Sequence, residues 1–386
     1  MNNHNTFFNN LMHFVYRNDL RFHDIRTQAT FVWAIFGLII GEQINLSLWA
    51  LFRPGKAKLG SKQRQFSRWL HNSKVEPMAV YAPFIRNVLQ EWAGETILLA
   101  LDTSQLWHRF VIVRVALVYR GRALPVGWTV LTSKSATVAL ERYRSVLEQV
   151  AGLLPSSSRV ILLADRGFMD VKLMQLARDL GWHFRIRAKL SVWVYRATKK
   201  RLKMKALFPS PGGARFFRNV WLTEQRFGPV HLAVVYVGIQ NGYEKWAIIS
   251  DEPTSPETLN EYGRRFCIEE NFLDDKSAGF QLESSHIRDK KALSRLCLIM
   301  ATTTIYLAST GTAIVETQRR RLVDTHWERG LSYLQIGWRW VKLALNQGHR
   351  LLDFIWLSAA EDPEPAMASW KQFLKPDLHI QCIEWL

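Results

Sequence analysis

Cysteine is scarce, with Cys267, Cys297 and Cys382 standing far apart in 386 residues. So few thiols exclude a disulfide framework and a thiolate zinc site, and they point to a reducing compartment. Acidic residues are also short, 33 Asp and Glu against 51 Lys and Arg, which leaves a net charge of +18. That excess calls for a polyanionic partner, either nucleic acid or an anionic membrane surface. No basic segment followed by an apolar core stands at the start, so no signal peptide is expected. Internal repeats and low-complexity tracts are missing, as are the HExxH, GxSxG and GxGxxG motifs of other enzyme classes. Residues 55–62 read GxxxxGSK, with the Lys and Ser of a phosphate-binding loop transposed and no strand before them, which discards that reading. One stretch, residues 296–315, lacks formal charge and is long enough to span a bilayer. Its threonines and the charged flank at 288–295 favour a buried helix over a membrane span.

What is present is the composition of a folded chain, 48% hydrophobic and 12% aromatic, whose length suggests two or three domains. Residues 1–90 read as helical, and 53–69 mix basic residues, Gly, Ser and aromatics. That mixture suits phosphate contacts, and equally a solvated helix face with a loop before it. From residue 95 the period changes. The run 96–101 reads as a buried strand ending at Asp102, and 159–164 as a second ending at Asp165. Between them, 110–119 and 123–131 flank a turn and read as a hairpin. Helices at 136–153 and 170–180 and a strand at 182–189 complete a mixed α/β core. Residues 190–250 carry strand patterns and a basic cluster at 199–205, the signature of a β-rich insertion, and from 255 onward the chain looks helical almost to the end.

The richest stretch is 262–276. Tyr262, Arg265, Glu269 and Lys276 stand at i, i+3, i+7 and i+14, which on one helix puts them within about 60° of each other along roughly 21 Å. A row of two cations, a carboxylate and a phenol suits an anionic polymer running past a metal-binding carboxylate; it also suits an exposed ion-pair ladder. A lone aspartate at a strand end is commonly a turn or cap residue. Two of them with a Glu-bearing helix make a hard-oxygen site suited to Mg²⁺ or Mn²⁺.

These residues carry a resemblance. Asp102, Asp165 and Glu269 resemble the DDE triad of transposases, and Tyr262-x2-Arg265-x3-Glu269-x6-Lys276 reproduces the spacings of the YREK signature of the IS4 family. Asp165-Arg166 looks like that family's second catalytic motif, with Arg187 and Lys189 in the basic strand after it. The segment from Trp246 to Pro253 is similar to the one ending the β-insertion of Tn5-type transposases, where a Trp stacks on a flipped base. The similarity covers about residues 95–290, and Asp102 rests on its strand context alone.

The resemblance implies an α/β fold, a ribonuclease-H-like mixed sheet core with a β-rich insertion, flanked by helical N- and C-terminal regions. The corresponding divisions are a DNA-binding region at 1–90, a catalytic core at 91–189 and 251–295, an insertion at 190–250 and a C-terminal region at 296–386. It implies two Mg²⁺ (or Mn²⁺) ions held by Asp102, Asp165 and Glu269, and phosphate contacts from Tyr262, Arg265, Lys276 and Arg166. Arg187 and Lys189 join the DNA-binding set, with Trp246 as the base-stacking indole. The implied partners are double-stranded DNA, as transposon terminal inverted repeats and target, and a second copy of the chain in a synaptic complex; no membrane is expected. The implied location is cytoplasmic, on a bacterial nucleoid. A ribonuclease-H-like nuclease without strand transfer and a domesticated, non-catalytic DNA-binding protein stay open as alternatives. For Trp246 the alternative is a core aromatic, and for Arg166 a local ion pair.

Overall fold

The computed structural model describes residues 2–196, 201–239 and 242–366, and the backbone of His379–Ile383. The chain opens with α1 (Asn2–Arg17), α2 (Ile25–Gly41), α3 (Leu46–Phe52), α4 (Leu59–Leu70) and α5 (Pro77–Leu89). Asp24 accepts from the Thr27 amide at the start of α2, and Asn45 accepts from the Ser47 and Leu48 amides at the start of α3. Each satisfies amides that a helix start leaves without partners.

The apolar runs then become strands. β1 (Thr96–Leu106), β2 (Phe110–Tyr119) and β3 (Arg122–Thr132) form an antiparallel meander. After α6 (Arg144–Ala151), β4 (Arg159–Ala164) pairs parallel to β1 on its other side; after α7 (Val171–Asp179), β5 (His183–Arg187) pairs parallel to β4. The order β3-β2-β1-β4-β5, with three antiparallel strands and two parallel ones, is the mixed core that the alternation of apolar runs and helices suggests, in the ribonuclease-H-like form that the resemblance implies.

The strands that follow extend this sheet. β6 (Trp193–Tyr195), β7 (Arg201–Lys203), β8 (Gly213–Leu222), β9 (Phe227–Ile239) and β10 (Gly242–Ser250) come next, and β10 pairs antiparallel to both β9 and β5. Among the described residues the result is one 11-stranded sheet, in which β11 (His379–Ile383) lies parallel to β8.

Beyond the sheet run α8 (Pro256–Gly263), α9 (Cys267–Leu273), α10 (Lys290–Glu316) and α11 (Tyr333–Gln347). The uncharged run 296–315 lies in α10, whose most apolar window is entirely buried inside the chain. Helix α11 ends where Gly348 takes a left-handed φ of 73°, a conformation glycine adopts without steric cost. Residues 349–366 form no helix, which corrects the helical expectation for the tail; Pro363 and Pro365 remove amide donors there.

Helices α10 and α11 meet backbone to backbone. A Cβ on Gly311 would lie 1.9 Å from the Tyr333 carbonyl oxygen, and one on Gly337 would lie 1.9 Å from that of Leu307. Neither neighbour is a flexible side chain that could swing aside. Gly311→Ala should therefore cost about 1–3 kcal/mol in urea unfolding, the usual range for overpacking a tight core. An unchanged midpoint would mean the helices can part without penalty.

Candidate active site

Parallel pairing of β1 with β4 brings two carboxylates together. The register ends at Leu101 opposite Ala164, so the next residues, Asp102 and Asp165, are neighbours across the two strands. Asp165 follows the last residue of β4 and leads into a short 3-10 turn, Arg166–Phe168. Asp102, in contrast, does not end its strand. β1 continues to Leu106, paired with β2 alone, and alternates half-buried and buried residues beyond Leu101. The expected strand end is instead the place where one of two neighbours leaves.

The third carboxylate comes from above the sheet. The single helix expected over 262–276 is broken: α8 ends at Gly263, a 3-10 turn covers Arg264–Phe266, α9 carries Glu269, and a π-helical turn covers Asp274–Ala278. Ser255 and Thr258 start the segment with a capping box. The π turn closes by a 2.8 Å bond from the Phe280 amide to the Asp274 carbonyl, which passes 2.5 Å from where a Cβ on Gly279 would stand. Glycine is required there. A 3-10 turn tightens the spiral and a π turn widens it, so the four signature residues do not form a straight row.

They nevertheless converge on the carboxylates. The Arg265 guanidinium, 3% exposed, lies between two of them, with Nη1 3.2 Å from Asp102 Oδ2 and Nη2 2.5 Å from Glu269 Oε1. Tyr262 is fully buried and its hydroxyl donates to Asp165 Oδ1 at 3.4 Å. Arg187 places Nη1 3.9 Å from the same oxygen while Nη2 donates to Glu244 and to the Lys245 carbonyl. Lys276 Nζ donates to the Gln105 carbonyl at 2.8 Å.

Burial pushes the Asp102 carboxyl up from 3.8 to about 6; Arg265 and the Thr103 amide oppose the rise, while the charges of Glu269 and Asp165 add to it. For Arg265 burial acts to weaken the charged form, but Tyr262, Asp102 and Glu269 more than reverse this and hold it cationic. Burial raises the Tyr262 phenol well above its usual value.

The other expected DNA contacts divide. Arg166 and Lys189 are exposed at the Asp165 end of the sheet. Trp246 is 8% exposed, stacked on Phe266 at 5.7 Å and edge-on to Tyr262 at 5.1 Å, with its Nε1–H donating to Glu244. It is a packed core side chain here, not an open stacking surface, because Phe266 covers its face. Tyr262, Arg265 and Arg187 are likewise buried and engage carboxylates. Within the basic cluster 199–205, Lys199 and Lys200 lie outside the described residues; Arg201 and Lys203 pack on Trp193 at 4.4 and 3.8 Å.

Sequence reasoning missed Arg114. It stands opposite Asp102 in the β1–β2 register, 2% exposed, with Nη2 2.6 Å from Asp275 Oδ2 and Nη1 donating to Asn271 Oδ1 at 2.6 Å. It thereby ties α9 and the π turn, hence Glu269 and Lys276, to the sheet. Its signal was a solitary cation inside the apolar run 110–119.

Among the described residues, the three potential metal ligands whose atoms lie within 4.8 Å of one another are His183, Asp251 and Glu252, and not the Asp102, Asp165 and Glu269 set. The former lie at the opposite end of β5 from Asp165. Glu252 there is 2.7 Å from Arg185 and 2.6 Å from Arg159, and Arg185 is 2.6 Å from Glu261. Two guanidinium groups disfavour a cation, so that cluster is an ion-pair network. At Asp102 the balance is reversed: the charges of Glu269 and Asp165 add to the rise of its pKa, and Arg265 occupies the place of a counter-cation. The donors are hard oxygens, the kind that Mg²⁺ and Mn²⁺ take.

The raised Asp102 pKa fixes a sign. A folded-state value near 6 against 3.8 unfolded means this group favours folding most below 3.8 and loses that benefit as pH rises through 6. In chelator, Asp102→Asn should therefore match wild type near pH 3.5 in thermal stability and exceed it at pH 8, the gap opening between about 4 and 6. A gap that widened toward acid would contradict the assignment.

The piggyBac transposase, in a synaptic complex with hairpin DNA, is similar in structure at a TM-score of 0.42 and 10% identity, over 83% of this chain and 72% of that one. Among curated proteins none matches the sequence. The family described as the transposase DDE domain matches residues 107–306, just over half of the chain. That match runs from the end of β1 through Asp165 and Glu269 into α10, and on it the chain belongs to the DDE transposases, enzymes that cleave DNA phosphodiesters and rejoin them by transesterification.

Proposed function

We propose that the chain is a cut-and-paste transposase of the IS4 type, acting on the terminal inverted repeats of an insertion sequence. The observation that carries this is that Asp165 stands beside Asp102 on neighbouring parallel strands while Arg265 bridges Asp102 and Glu269. Asp102, Asp165 and Glu269 are the residues that would hold two divalent cations. Such ions supply a water nucleophile at neutral pH and neutralise charge at the scissile phosphate.

The protein's own part is orientation. Tyr262 and Arg187 fix Asp165, and Arg265 holds Asp102 and Glu269 together. Arg166, Lys189 and Lys276 contact phosphates of the bound end, which makes binding fall steeply with salt. Trp246 acts by holding Tyr262 and Phe266 in place. Water cleaves the phosphodiester at the transposon end and leaves a 3′-hydroxyl. That hydroxyl attacks the opposite strand to form a hairpin and, after the hairpin opens, a target phosphodiester; each attack joins one bond as it releases another. The working assembly is a dimer spanning two ends, in the cytoplasm.

The test is a strand-transfer assay with a pre-cleaved end bearing a 3′-hydroxyl, Mg²⁺ and plasmid target. Covalent joining is the expected result, with none from a 3′-deoxy end. Cleavage of intact ends without joining of pre-cleaved ones would make the protein a nuclease instead.

A further inference from the structure

The basic run at 319–321 has no part in the site above, and the loop after it is built with unusual care. Arg320 is buried and donates to Asp324, to the His326 carbonyl at 3.0 Å and to the Trp327 carbonyl at 3.1 Å, and it pairs with Glu364. Asp324, with no side-chain exposure, accepts from the amides of His326, Gly330 and Leu331 at 3.2, 3.0 and 3.4 Å. A Cβ on Gly330 would lie 2.4 Å from His326 Nδ1, so a larger residue there would push the imidazole from its place on Asp324.

All this order supports a tip that touches little. Trp327 is 82% exposed, and Leu322, next in sequence to Arg321, is 58% exposed. The Arg321 guanidinium rests over the indole at 4.6 Å, and Arg319, Arg321 and His326 are all exposed, with Glu328 the acidic neighbour. A large aromatic held out in water on a rigid loop loses little further freedom when something stacks on it. The flanking arginines and the chain's charge of +18 select an anionic polymer over a neutral protein face. An indole beside phosphate-seeking cations is how sequence-tolerant single-strand surfaces are made.

We propose that Trp327, Arg321 and Arg319 form a second DNA contact, separate from the carboxylate site, that stacks an unpaired base on the indole and takes the adjoining phosphates on the arginines. This rests on the transposase reading and adds the strand form it favours: single-stranded DNA at a frayed or overhanging end.

The test is fluorescence anisotropy with one duplex, blunt or carrying a short overhang, on wild type, Trp327→Ala, Trp327→Phe and Arg321→Gln in the full chain. Trp327→Ala should lose about 5- to 150-fold on overhang DNA, the worth of one stacked base, with blunt duplex nearly unaffected. Trp327→Phe should keep most of the affinity, and Arg321→Gln should lower the salt slope by about one. Overhang binding by Trp327→Ala equal to wild type overturns the proposal. So does a change in self-association by sedimentation with DNA affinity intact, which would assign the surface to a second copy of the chain. Wild-type protein that binds neither DNA sinks the transposase reading and this contact with it.

Discussion

Asp102→Asn, Asp165→Asn and Glu269→Gln each reduce end cleavage by about 10³-fold or more, the consequence of losing one hard-oxygen ligand from a metal-assisted phosphoryl site. Each change keeps the size of the side chain and removes only its charge. DNA binding should stay near the wild-type level, or tighten slightly, because a negative group beside the phosphates has gone. The three variants should differ in one respect. Asp102→Asn removes a partner of Arg265 and the carboxylate that feels both others, so its loss should be deepest. Glu269→Gln leaves Arg265 paired with Asp102, and Asp165→Asn keeps an oxygen for the Tyr262 hydroxyl. Cleavage of a labelled end in Mg²⁺, beside binding in chelator, separates chemistry from affinity. Wild-type-like cleavage by any one variant removes that residue from the site.

Arg114→Met and Asp275→Asn should each lower stability by about 3–5 kcal/mol, the cost of leaving one charge of a buried pair without its partner. Both side chains are 2% exposed, so water cannot replace what is lost. Burial pushes Asp275 toward its protonated form, and Arg114 is the main group that opposes this, with Lys276 after it; removing the arginine leaves burial largely unopposed. The double change Arg114→Met with Asp275→Leu should recover much of the loss, since apolar replacement of a whole buried pair is commonly neutral. Urea unfolding of the four proteins measures the coupling. Cleavage should also fall in the single variants, because Arg114 bonds Asn271 two residues after Glu269. A loss under about 1 kcal/mol would show that water enters the pair.

The parts of the fold written in apolar runs were readable in advance. Residues 96–101 and 159–164 could only be buried strands, and the aspartates after them fell side by side. What was hidden depended on partners far away in sequence. That β1 runs on past Asp102 depends on β2, because residues 103–106 have no continuous apolar pattern of their own. The 262–276 segment breaks into a 3-10 turn at Arg264–Phe266 and a π turn closed at Gly279, and a count of 3.6 per turn passes over both. Trp246 carries the same letter whether it faces solvent or Phe266; only the packing of α8 on β10 decides. The charges at 114 and 275 lie 161 positions apart, and nothing near either one announces the other.

One consequence follows from β10 being bonded to β5 on one edge and β9 on the other. The strands from 193 to 250 join the rest of the sheet by main-chain pairing of Ile248–Ser250 with Arg185–Arg187. A load on β8 or β9 would pass to the core along that pairing. The strand that receives it is β5, whose last residue, Arg187, stands 3.9 Å from Asp165. An unbroken run of main-chain pairing thus links the outermost strands to the neighbourhood of Asp165.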